Sequence, residues 1–142
     1  MVLRAKGESY MKSLFAGRHA PLYSTAGGRA VLSRLPADRA RTLLEAGDLV
    51  KITPDTLIDI DQIMDEVRKA GTRGYATAWQ ETRIGEVVAA SAVVDPSGAP
   101  IGAIHVSAGI DRVQRDAVDQ TIAPMAINIA QLINRDIASY HD

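Results

Sequence analysis

Residues 87–108 restrict the fold more than any other stretch of the chain. Val87-Val88-Ala89-Ala90-Ser91-Ala92-Val93-Val94 is a continuous small, apolar run, suited to a buried strand. It runs into Asp95-Pro96-Ser97-Gly98. That tetrapeptide has an acceptor at its first position, proline at its second and glycine at its fourth, the chemistry of a tight turn. Ile101 to Ala108 then returns as the partner strand. Strand, turn and strand predict an antiparallel hairpin, and the rest of the chain must supply the elements that bury it.

Helices precede the hairpin. Thr25 is an N-cap residue, with Ala26, Gly27 and Gly28 in the first turn behind it. Pro36, at an N1-type position, opens a second helix that carries Leu43 and Leu44 and stops at Gly47. Asp59 followed by Gln62 resembles a capping box. Ile60, Ile63, Met64 and Val67 then form one apolar stripe, and Gly71 supplies the stop. The pattern changes to period two over Gly74 to Trp79, which predicts a strand. A last helix starts near Asp111, with Gln114 three residues on, and is kinked or restarted by Pro124. Its stripe continues through Met125, Ile129, Leu132, Ile133 and Ile137. Met1 to Ala16 alternates weakly and reads as one or two poor strands, and Gly17 to Leu22 as a turn-rich entry to the first helix. The order predicts an α+β layout with an antiparallel sheet.

Composition removes several function classes. A length of 142 residues fits one domain. A net charge of −1 argues against this chain gripping nucleic acid by itself, because phosphate binding needs a basic face. Without cysteine there is no disulfide scaffold and no thiolate metal site. No apolar run approaches the roughly 20 residues that span a bilayer, and Met1 to Tyr10 lacks a signal-peptide core, so a cytoplasmic location is the default expectation. His19, His105 and His141 have no metal-ligand spacing. Ser107, His105 and Asp95 form a nominal nucleophile set, but neighbours on one strand face do not reach triad geometry. Neither a G-x-S-x-G elbow nor a phosphate-binding loop is present. No enzyme, metal site or cofactor is expected.

Binding signals remain. Each glycine in a helix costs about 1 kcal/mol relative to alanine, so Gly27 and Gly28 in one first turn call for a reason. Close approach of an anionic ligand to first-turn N–H groups is one reason; tight packing against a strand is the other. His105 and Ser107 share a strand face with Ala103 and either line a cavity or form a solvated face. Trp79 either stacks on a planar ligand or caps the core. Glu86 is either a surface charge or a ligand group at the start of the central strand.

Three blocks carry a resemblance. They are Gly17-Arg18-His19-Ala20-Pro21-Leu22-Tyr23-Ser24-Thr25-Ala26-Gly27-Gly28-Arg29-Ala30; Arg73-Gly74-Tyr75-Ala76 with Glu81 and Gly85; and Ala89 to Asp95 with Gly98 and Ile104 to Gly109. Together and in this order they resemble the C-terminal effector-binding domain of IclR-type bacterial transcription regulators. The resemblance implies a GAF-like antiparallel sheet flanked by helices over residues 1–142, N-terminally truncated. The family's winged helix-turn-helix and the opening of the sensor domain would lie upstream.

It further implies a small organic acid held between the sheet and the first helix. Ala26 and Gly27 would offer N–H groups, with Thr25 capping the turn. Val88 would form a pocket wall with Glu86 nearby. His105 and Ser107 match the polar positions of the last strand. His105 and Trp79, in place of smaller or acidic groups, suit a planar, even aromatic, acid. The expected partners are that acid, further copies of the chain in a dimer or tetramer, and DNA only through the missing domain. The alternatives are an oligomerisation module with no ligand and, less favoured for want of cysteine, a small hydrolase or reductase.

Overall fold

The computed structural model describes residues 20–140. The weak strands expected over Met1 to Ala16, and His19 and His141, lie outside the described residues.

The described chain is α+β, with helices α1 (Ala26–Leu32), α2 (Ala37–Glu45), α3 (Ile60–Arg73) and α4 (Ile122–Ser139) around strands β1 (Ala76–Trp79), β2 (Glu86–Val94) and β3 (Pro100–Gly109). The strands form one antiparallel sheet in the order β1-β2-β3. The hairpin forms as its turn chemistry dictates. The Asp95 carboxylate accepts from Ser97 N at 2.8 Å, Ser97 Oγ at 2.6 Å and Ala99 N at 3.0 Å. Gly98 takes the left-handed φ of 87° that the turn requires.

Local capping also matches expectation. Thr25 Oγ1 accepts from Gly28 N at 3.0 Å, and Asp59 accepts from Gln62 N at 2.9 Å. Pro36 sits one position earlier than expected, as the N-cap of α2 at ψ 142°. Three boundaries differ more. Gly71 does not stop α3; the helix runs to Arg73 and closes at Gly74, whose φ is 88° and whose N–H donates to Ala70 O at 2.9 Å. With Gly74 spent as a left-handed cap, β1 begins only at Ala76. No helix starts at Asp111. A turn leads to a 3-10 segment, Arg115–Gln120, and α4 opens at Ile122. Pro124 then lies in the first turn of α4, where its missing N–H is no loss.

Strand alternation gives the sheet two chemically different faces. Toward α1 stand Ala76, Ala78, Val88, Ala90 and Ala92, packed on Ala26 and Ala30. Toward α4 stand Val87, Ala89, Trp79 and Val106, packed on Val113, Val118, Ile122 and Ala123. At the far end of α1, Leu32 joins Leu44 of α2 and Ile63, Met64 and Val67 of α3 in a further apolar cluster.

The α1 face is also held by a buried charge pair. Arg29, 1% exposed, makes a two-pronged contact with Glu81 at 2.6 and 2.5 Å. Its remaining donors meet Tyr23 O at 2.9 Å and Thr77 O at 3.1 Å. Glu81 Oε1 also accepts from Leu57 N at 3.1 Å. Gln80, at a left-handed φ of 55°, turns the chain so that Glu81 points inward. Thr53 and Thr56 fasten this corner by donating to Gln80 O and Glu81 O, each at 2.6 Å. Among the described residues no helix is long and apolar enough to cross a membrane.

Candidate functional site

The sheet register decides which of the expected site residues meet. Ser107 pairs with Val88, which pairs with Ala78; His105 pairs with Ala90, which pairs with Ala76. His105, Ser107 and Val88 therefore share the α1 face, and Glu86 lies on it by the same alternation, opposite Gly109. Thr25, Ala26, Gly27 and Gly28 face them from the start of α1. Eight of the nine expected positions thus lie in the α1 layer or on the sheet face beneath it.

Trp79 is the exception. It pairs with Val87 and belongs to the opposite layer with Val118 and Ile122. The guanidinium of Arg115 lies 5.6 Å from its ring centre. The pairing of an aromatic guest with both Trp79 and His105 is therefore corrected: one sheet separates the two side chains.

The two helix glycines have separate explanations. A Cβ on Gly28 would lie 2.4 Å from Leu22 O and 2.5 Å from Leu22 Cα. Its amide is already bonded to Thr25, so packing accounts for Gly28. A Cβ on Gly27 would lie 1.9 Å from His105 Nε2. The imidazole of His105, exposed on its outer side, fills the space over Gly27. Just before the cap, Ser24 is fully buried, and its Oγ has no hydrogen-bond partner among the described residues.

Glu86 is half-buried, and loss of hydration raises its pKa above the ordinary glutamate value, with Arg83 pulling the other way. Its carboxyl therefore holds a proton more readily than an exposed glutamate.

A cavity of about 450 Å³ opens on the α4 side of the sheet. Tyr75, Thr77 and Trp79 of the β1 segment, Val87, Arg73 and Arg115 line it. Arg73 stacks over Tyr75 at 4.2 Å and donates to Tyr75 O at 2.9 Å. Sequence reasoning did not anticipate this cavity. It also gave no role to Arg29 and Glu81, although both stand in the motif blocks: Arg29 in the glycine block, and Glu81 just after Trp79. Among the described residues no group of His, Asp or Glu side chains is placed to hold a metal ion.

Fold and site together define a helix-flanked antiparallel domain of the kind found in bacterial transcriptional regulators. Residues 4–135 match the family described as bacterial transcriptional regulator IclR C-terminal, and the chain belongs to that family. A curated relative is the HTH-type transcriptional repressor AllR of Escherichia coli strain K12. It is 28% identical over 100 residues, which cover 70% of this chain and 37% of the relative. The chain thus spans well under half the length of the curated relatives it matches.

Among solved structures, Thermotoga maritima IclR superposes with a TM-score of 0.86 at 24% identity, over 94% of this chain and 54% of that one. The inducer-binding domain of the PobR transcription factor from Acinetobacter, a double mutant in complex with 3-hydroxybenzoic acid, superposes at 0.77 and 22% identity, over 89% and 74%. The family and its curated relatives are regulators, not enzymes.

Proposed function

We propose that this domain senses a small organic acid, and that occupancy alters DNA binding by a longer protein through a winged helix-turn-helix upstream of the sensor. The observation that carries this reading is the packing of His105 on Gly27 in the first turn of α1, with Ser107 on the same strand face, over a floor of alanines and Val88. That arrangement sets one polar side chain of β3 against a helix backbone with almost no side-chain bulk. The likeness in fold to an inducer-binding domain that holds a hydroxybenzoic acid supports acid sensing as a use of this fold.

A charge-assisted hydrogen bond contributes roughly 1.5–3 kcal/mol. Two or three of them with apolar contact, less the ordering costs, reach micromolar affinity, about −8 kcal/mol. Regulation further requires unequal affinity for two states of the protein.

Native mass spectrometry of protein purified from cells, followed by isothermal titration with glyoxylate, pyruvate, succinate and benzoate, tests the reading. A retained acid, or micromolar binding of one of the four, supports it. Flat titrations together with a stable dimer would favour a ligand-free oligomerisation module instead.

The cavity beside Trp79 favours a second location for the guest. Two stacked guanidinium groups there offer donors to a carboxylate. The acidic residues Asp55, Glu66, Asp116 and Asp119 line the same space and oppose an anion, while Glu81, which also borders it, is paired with Arg29. Trp79 is the chain's single tryptophan, so its fluorescence separates the two locations. A guest at α1 leaves the emission unchanged, and a guest in the cavity quenches or shifts it.

A further inference from the structure

Gly27 and His105 are shaped to each other. A Cβ at position 27 would meet three atoms of one imidazole: Nε2 at 1.9 Å, Cε1 at 2.5 Å and Cδ2 at 3.0 Å. The apex of the ring thus stands where a side chain would begin. Backbone conformation does not call for glycine here, since the positive-φ glycines among the described residues are Gly74, Gly85 and Gly98. Glycine inside a helix costs about 1 kcal/mol relative to alanine, and at Gly27 the ring accounts for it.

The apolar groups around the ring are small. Behind it run Ala90 and Ala76, and beside it stand Ala103 and Ser107. On the helix side lie Ala26 and Ala30. With no residue larger than valine in the buried cluster of this layer, the imidazole decides how much room remains between β3 and the start of α1. It is also exposed, so it stands between solvent and Gly27.

We propose that His105 sets the size limit of the acid site, leaving room only for a compact acid, such as a two- or three-carbon keto acid, and excluding a guest with a six-membered ring. This rests on the acid-sensing reading above. A compact acid leaves the imidazole over Gly27. A benzoate ring and the imidazole compete for one volume, so an aromatic acid binds only by displacing a side chain already packed on the helix. A serine at this position would remove the ring and leave a hollow floored by alanine, with Gly27 open beneath it.

Two measurements on the intact chain test this. The first is a thermal double-mutant cycle. Gly27→Ala lowers Tm in the wild-type background and leaves it unchanged or higher in the His105→Ser background, because alanine is the better helix former once the ring is gone. The second is isothermal titration of wild type and His105→Ser with glyoxylate, pyruvate, benzoate and 3-hydroxybenzoate. Wild type binds a keto acid and binds both aromatic acids at least about tenfold more weakly, and His105→Ser gains about tenfold or more for the aromatic acids.

Equal aromatic affinity in the two proteins, or a Gly27→Ala penalty that is the same in both backgrounds, overturns the proposal. If wild type binds a keto acid and the variant gains nothing, the size limit falls and the acid site stands. If neither protein binds any of the four acids, acid sensing and the size limit fall together.

Discussion

The two faces of the sheet bury their helices by opposite means. On the α4 side the filling is bulk: Val87, Val113, Val118, Ile122 and the partly buried Trp79. On the α1 side it is alanine apart from Val88, and the helix is fastened by a charge pair, Arg29 with Glu81. Apolar burial scales with area, so the α1 layer gains little from its methyl groups. What it gains is proximity, since small side chains let a helix backbone come close to a strand. That closeness brings Gly27 against His105. One face is filled by bulky side chains, and the other holds a helix backbone close to a strand.

The contrast breaks first at the clamp. Arg29→Ala would strand the buried Glu81 carboxylate and cost about 3–5 kcal/mol. By thermal denaturation that is a fall of roughly 2–4 °C per kcal/mol. A loss within about 1 kcal/mol, the worth of an exposed ion pair, would mean that the α1 face is not held by charge. On the other face volume should dominate, so Ile122→Ala costs about 2–5 kcal/mol in denaturant titration. The converse change, Ala90→Leu, overpacks the alanine layer and costs about 1–3 kcal/mol. If the sheet and α1 tolerate that leucine without loss, the two are not in close approach. Thr25→Ala removes the cap on Gly28 N and costs about 1 kcal/mol, and on the acid-sensing reading it also weakens keto-acid binding in the same titrations.

The smallest effect expected is a pH dependence. Burial raises the folded-state pKa of Glu86, so the folded chain keeps this proton to a higher pH than the unfolded chain does. The associated stability is present below the ordinary glutamate range and is lost as pH rises through the raised value. Glu86→Gln should therefore raise Tm slightly at neutral pH, with the difference vanishing in acid. Asp95 has the opposite sign. Its hydrogen bonds from Ser97, Ala99 and Gly98 lower its pKa, so its contribution is present at neutral pH and fades as pH falls through the lowered value.

What the sequence disclosed was local. The Asp95-Pro96-Ser97-Gly98 turn and the caps at Thr25 and Asp59 are set by residues within a few positions of one another, and they form as read. The motif blocks around Gly27, Gly74 and the hairpin identified the family, because their order and spacing are specific even where each block is weak. What stayed hidden depends on register and long-range contact. Arg29 and Glu81 are 52 positions apart, and spacing cannot pair them.

Trp79 ends a strand next to the expected site, yet its face follows from pairing with Val87 instead of Val88. A slip of one residue in register would reverse that assignment. The choice between Gly71 and Gly74 as the end of α3 turned on which glycine adopts positive φ. For the paired glycines the sequence left packing and ligand approach open. Packing accounts for Gly28, while Gly27 faces a histidine that no local pattern linked to it.

The most direct test of the central claim is a backbone-amide NMR titration of the chain with pyruvate and with benzoate. An acid held on the α1 face shifts the amide signals of Ala26, Gly27 and Ser107 and leaves the Trp79 indole signal in place. If the Trp79 indole and Arg115 signals move while Gly27 and Ser107 stay fixed, the guest binds on the α4 side of the sheet, and the α1 face is not the acid site.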